Sequence, residues 1–92
     1  MALYIVTAVQ FDVTGEVESV RWRGDNSHGV VDVAAVVEAI DRGDIVEMWF
    51  SGHALGSVSG GRLRKKLLLN GKVTIAEATV ISGRTLFHLP RI

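Results

Sequence analysis

The chain contains no cysteine, one proline and one tyrosine, and its ten acidic residues cancel its ten basic ones. Without cysteine, a disulfide-stapled scaffold and a thiolate zinc site are both excluded. A net charge of zero argues against an unstructured polycation coating nucleic acid, and equally against an acidic tail. No apolar run approaches the roughly 20 residues that a bilayer-spanning helix needs. The opening Met1-Ala2-Leu3-Tyr4-Ile5-Val6 lacks a basic leader and alternates as a strand does. These absences set the expectation of a soluble, bacterial-type cytoplasmic protein with no membrane contact.

What is present favours a small β-rich domain. The 92 residues fit one domain, residues 1–92. A chain this short buries roughly 60–65% of its unfolded surface, which leaves little room to hide its 48% of hydrophobic residues. A second copy of the chain is the natural cover for the excess, so a homo-oligomer, with a dimer favoured, is expected. Valine and isoleucine together number twenty against eight leucines, and β-branched side chains suit a pleated surface.

Leu3, Ile5, Thr7, Val9 and Phe11 share one face of an extended segment, with Tyr4, Val6, Ala8 and Gln10 on the other. Val13-Thr14-Gly15 is a turn, and residues 16–23 read as the returning strand. Val17 falls out of phase with Val20 and Trp22, which predicts a bulge near Ser19. Residues 24–29 read as a loop. Val30, Val33, Val36, Val37 and Ile40 then follow helical spacing, with Asp32 as candidate N-cap and Gly43 as the stop. Residues 44–50 make a third strand, and the glycine- and serine-rich residues 51–61 read as a long structureless stretch. Residues 63–69 and 72–81 form a second hairpin around Asn70-Gly71, although Leu63 and Leu67 also fit a helical turn. Residues 84–89 make a last strand before Pro90. The expected fold is α+β: an antiparallel sheet of about five strands with one helix on one face, in the order β-β-α-β-β-β.

Catalytic signals are weak, and the expectation is a non-enzyme without cofactor or metal. His28, His53 and His88 lie in separate segments, and none shows the i, i+4 spacing of a metal pair. A nucleophile drawn from Ser51, Ser57 or Ser59 would need His53 as base and Asp25 as orienter, but no nucleophile elbow surrounds the serines. Glu16 and Glu18 share a strand face, as many solvated carboxylates do. Gly56-Ser57-Val58-Ser59-Gly60-Gly61-Arg62 lacks the spacing of a phosphate-binding loop, though its amides could form an anion nest.

Charge is more informative. Residues 1–61 carry nine acids and three bases, whereas residues 62–92 carry seven bases and one acid, Glu77. Arg62, Arg64, Lys65, Lys66 and Lys72 gather on the second hairpin, where a basic ribbon can neutralise phosphates. The bland account is that this ribbon pairs with the acidic first part, within one chain or across a dimer. Trp22 and Trp49 are either stacking platforms for bases or packing residues.

Tyr4-Ile5-Val6-Thr7-Ala8-Val9, Val17-Glu18-Ser19-Val20-Arg21-Trp22 and the closing Leu86-Phe87-His88-Leu89-Pro90-Arg91 form a pattern over most of the chain. It resembles a family of short bacterial proteins, domain of unknown function three-eight-nine-two. The resemblance implies a small α+β fold and carries no activity or site residues.

Two functional expectations follow. The first is a non-catalytic, self-associating domain that binds a protein partner, with Trp22, Trp49 and Phe50 as interface candidates. The alternative is nucleic-acid binding through Arg62, Arg64, Lys65, Lys66 and Lys72.

Overall fold

A computed structural model describes all residues except Asn26, Ala54 and Leu55, and the side chains of Gly52 and His53. Its elements are β1 (Leu3–Phe11), β2 (Val17–Gly24), β3 (His28–Asp32), α1 (Val33–Asp41), β4 (Ile45–His53), β5 (Gly56–Leu67), β6 (Val73–Glu77) and a 3-10 turn (Leu86–His88). The six strands form one sheet in the order β3-β2-β1-β4-β5-β6. The α+β class with one helix on one face is as the sequence predicts; the sheet is mixed and has six strands.

The added strand explains the mixture. Residues 28–32, expected to be the end of a loop and the start of the helix, pair antiparallel with β2 from Arg23↔His28 to Ser19↔Asp32. That third strand runs in the direction of β1, so the helix carries the chain back and β4 starts parallel to β1. Val30 therefore belongs to a strand and stands exposed, while Val36 and Ala39 carry the helix onto the sheet. Asp32 is the N-cap as predicted, its Oδ1 accepting from the Ala35 N–H at 3.0 Å. Gly43 follows the C-cap with φ +90°, a left-handed conformation that only glycine adopts cheaply.

The β1–β2 hairpin turns at residues 12–16. The Asp12 carboxylate organises it by accepting from the Thr14 N–H, the Thr14 hydroxyl and the Glu16 N–H. Between Gln10↔Ser19 and Phe11↔Val17 the register slips at Glu18, which puts Val17, Val20 and Trp22 together on the buried face. This is the bulge expected near Ser19. A second slip lies between Val6 and Ala8.

Of the stretch 51–61 expected to be structureless, the described residues are strand, and Ala54 and Leu55 lie outside them. Ser51–His53 end β4 and Gly56–Gly61 begin β5, pairing through Phe50↔Val58 and Trp49↔Ser59. Gly60 serves close packing, since a Cβ there would lie 2.5 Å from the Phe50 ring, while Gly56 and Gly61 take positive φ. The β5–β6 hairpin forms around Asn70-Gly71 with its first arm strand rather than helix, but its second arm, expected to reach Ile81, stops at Glu77. Residues 84–89 are a 3-10 turn instead of a strand, closed by Thr85 and His88 in a reciprocal capping arrangement. After it, Pro90 C=O accepts from Val9 N–H at 3.0 Å, and Ile92 N–H donates to Val9 C=O at 3.2 Å. The C-terminal segment thus occupies the flank of β1 beyond Val6, where the described β1–β4 pairing stops.

The core lies between the helix and one sheet face. Val6, Val9, Val20, Met48 and Val36 are fully buried there, with Leu86 and Leu89 brought in by the C-terminal segment. Tyr4 stacks on Trp22 with ring centroids 4.2 Å apart, in space that Gly24 leaves open.

Candidate functional site

The face of the sheet away from the helix carries the charge. Strand alternation decides this: Trp22 is buried, so its neighbours Arg21 and Arg23 point the other way, and both are exposed. Leu63 is buried, so Arg62 and Arg64 share the opposite face of β5, again exposed. Register joins the two sets. His28 stands opposite Arg23, Arg23 opposite Ile5, Ile5 opposite Glu47 and Glu47 opposite Arg62, one row across five strands. Directly paired residues share a face, so Arg21, Arg23 and Arg62, with Arg64 two residues on, stand on one side of the sheet. Lys66, by contrast, sits opposite buried Thr74 and lines a pocket beside Val17 and Phe87. Glu47 is the only carboxylate in the row.

Neighbouring strands are about 4.8 Å apart, so the arginine column of β2 and the basic column of β5 stand roughly 14 Å apart. That is comparable to the roughly 12 Å width of a DNA major groove. A shallow depression of about 520 Å³ lies at the β2 column, lined by Thr7, Arg21, Trp22, Arg23, His28 and Gly29. Its size falls in the range of small-ligand sites, and its surface is almost entirely apolar.

The predicted pairing of the basic hairpin with the acidic first part is nearly absent. Of Arg62, Arg64, Lys65, Lys66 and Lys72, only Lys65 forms an ion pair with a described residue, reaching Asp41 at 2.7 Å. Lys65 points to the helix side, off the basic face, and Lys72 lies at the β5–β6 turn. The acids near the helix exit are otherwise engaged with Arg42, which pairs with Glu38 at 3.7 Å and Asp44 at 3.1 Å. Arg21 and Arg23 are the residues that sequence reasoning passed over. The signal was their placement either side of a tryptophan, in a part of the chain whose net negative charge concealed them.

The aromatic interface candidates separate. Trp22 and Phe50 are 5% and 6% exposed and pack within the core of the chain. The Trp22 indole donates to Ser27 Oγ at 3.3 Å. Trp49 is half-buried on the helix-free side, and its Nε1 is buried without a hydrogen-bond partner.

The residues considered for catalysis have local duties or no constellation. Ser59 Oγ accepts from Gly61 N–H at 3.1 Å, and its carbonyl accepts from Arg84 at 3.2 Å. His88 Nδ1 caps the 3-10 turn. The side chain of His53 lies outside the described residues, and with it the Ser–His pairing. Among the described residues, no three metal-ligating side chains come together. No helix among them is long and apolar enough to cross a membrane.

No family model, curated protein or solved structure matches the chain.

Proposed function

We propose that the protein is a non-catalytic domain that binds the phosphate backbone of a nucleic acid on the helix-free face of its sheet. The observation that carries this reading is the single row and its two columns. Four cations, Arg21, Arg23, Arg62 and Arg64, stand exposed on one side, with no ion pair to a described carboxylate. Exposed guanidinium and ammonium groups released from internal pairing gain most by neutralising phosphates, because each contact frees a condensed counterion. Arginine adds bidentate hydrogen bonds to phosphate oxygens and can stack on an unpaired base. The protein-partner reading rests on the apolar excess of a short chain, and two of its three interface candidates, Trp22 and Phe50, are buried in the core.

Titrating a fluorescent 20-mer tests this, single-stranded DNA, single-stranded RNA and duplex DNA in separate arms. Binding is expected at about 50 mM salt, with a log–log salt slope of roughly −2 to −4 for about three to four phosphate contacts. The double substitution Arg62→Glu, Arg64→Glu should weaken it at least about tenfold. Absence of binding in every arm at low salt would overturn the proposal. So would an affinity insensitive to both salt and the substitutions.

A further inference from the structure

A sheet has two edges, and in this one they are treated differently. Along β6, Thr74 is buried, Glu77 Oε1 accepts the Leu86 N–H at 2.9 Å, and a pocket of about 190 Å³ separates the strand from Phe11, Val17 and Phe87. That edge is flanked by the rest of the molecule. Along β3 nothing comparable is found among the described residues.

The backbone of β3 shows which groups are left over. Gly24 N–H donates to Ser27 C=O at 2.7 Å, which fixes the hydrogen-bonding phase of the β2–β3 pair. Counting from it, Gly29 and Val31 face β2 with their N–H and C=O. His28, Val30 and Asp32 turn theirs to the free edge. The Asp32 carbonyl is committed to the helix it starts, but its N–H is not. Edge strands are normally protected by lysine, proline, a bulge or a cover. The stretch His28-Gly29-Val30-Val31-Asp32 has no lysine or proline, pairs with β2 without a register shift, and has Val30 52% exposed at its centre.

This sequence is complementary to itself. Antiparallel pairing about a two-fold axis at Val30 sets Val30 against Val30 of the second copy, and His28 against Asp32 of the second copy on both sides. The Val30 groups then exchange two N–H to C=O bonds, and each Asp32 N–H meets a His28 carbonyl. Asp32 Oδ1 is held by the helix N-terminus, which leaves Oδ2 to accept from the facing imidazole. We infer that β3 is a homodimer edge, joining two copies into one continuous sheet. The two-fold axis stands perpendicular to the sheet, so both helix-free faces lie on the same side, with Arg21 and Arg23 of each copy flanking the seam. The inference does not depend on the nucleic-acid reading.

Sedimentation velocity of the full chain over a wide concentration range tests it, read together with amide hydrogen exchange. A reversible dimer is expected, with a dissociation constant on the order of tens of micromolar, as suits a small interface. Val30→Lys places like charges face to face and should weaken association at least about tenfold. His28→Asp sets carboxylates opposite Asp32 and should weaken it as well, an independent check if one variant folds poorly. Exchange at the Val30 and Asp32 amides should slow as concentration rises. A strict monomer at about 1 mM would overturn the inference. So would a dimer that both substitutions leave intact in folded variants, or one in which those amides remain unprotected.

Discussion

The two faces of the sheet are built from the same strands and do opposite things. On the helix side Val6, Val20 and Met48 are 0% exposed, and Gly24 and Gly60 leave room there for the Tyr4 and Phe50 rings. On the other side the intervening residues, Arg21, Arg23, Glu47, Arg62 and Arg64, are charged. One face therefore holds the folding free energy, and the other is free to carry charge without loss of stability. Substitutions that separate stability from binding test this division.

The largest effect is expected at the centre of the covered face. Met48→Ala removes a fully buried side chain and leaves a cavity, at a cost of about 2–5 kcal/mol. For a domain of this size the total stability is on the order of 5–14 kcal/mol, so urea denaturation should show a large fall in midpoint. Gly24→Ala should follow. Its added Cβ would sit 2.5 Å from the Tyr4 ring and 2.9 Å from the Leu3 carbonyl, and the backbone contact cannot move as a side chain can. Displacing the Tyr4–Trp22 stack should cost about 1–3 kcal/mol, read in the same denaturation curve and in near-ultraviolet circular dichroism.

These two positions also show what the sequence makes legible. The alternation of buried Val20 and Trp22 with Arg21 and Arg23 was readable, as were the Asp32 cap and the Asn70-Gly71 hairpin, because each depends on near neighbours. The third strand was not. His28 to Asp32 is a short apolar-centred stretch whose Val30 also fits the helical period, and only pairing with β2 decides between them. Missing that strand reversed the expected direction of β4. The glycine-rich residues 51–61 misled for a related reason, since Gly60 sits in a paired strand and leaves room for the Phe50 ring rather than signalling a loop. The candidate site was half legible. The β5 cations were evident, but their union with Arg21 and Arg23 depends on the register of four strands.

Acid should act on the margins of the covered face. Asp44 accepts from the Ala2 N–H at 3.0 Å and from Arg42, and its side chain is 10% exposed. The Ala2 bond first, and the Arg42 guanidinium second, hold its carboxyl below the ordinary aspartate range, against the opposing effect of burial. Asp12 is held low chiefly by the Thr14 hydroxyl, then by the Glu16 and Thr14 amides. A carboxylate depressed by folding contributes fully above its unfolded pKa and loses that contribution as pH falls through the folded one. Stability should therefore drop below about pH 4, where aspartates ordinarily protonate. In Asp44→Asn the wild-type-minus-variant difference should shrink over the same interval; a constant difference would remove the linkage.

The smallest effect on folding, and the sharpest test of the division, is expected on the bare face. Lys65→Ala breaks the exposed pair with Asp41 and should cost no more than about 1 kcal/mol. Arg21→Glu with Arg62→Glu removes no described ion pair, so the unfolding midpoint should shift by the equivalent of less than about 0.5 kcal/mol at Arg21. At Arg62, where the new carboxylate faces Glu47, the shift should be up to about 1 kcal/mol. The same pair of changes reverses charge in both columns, leaving Arg23 and Arg64 in place. If the two columns act on one phosphate backbone, the salt slope should flatten along with the affinity, because fewer counterions are released per binding event. If only one column is used, Arg21→Glu alone or Arg62→Glu alone would account for the whole change. A double variant that lost stability in proportion to affinity would mean the charged face belongs to the folding machinery after all, and the two faces would no longer be separable.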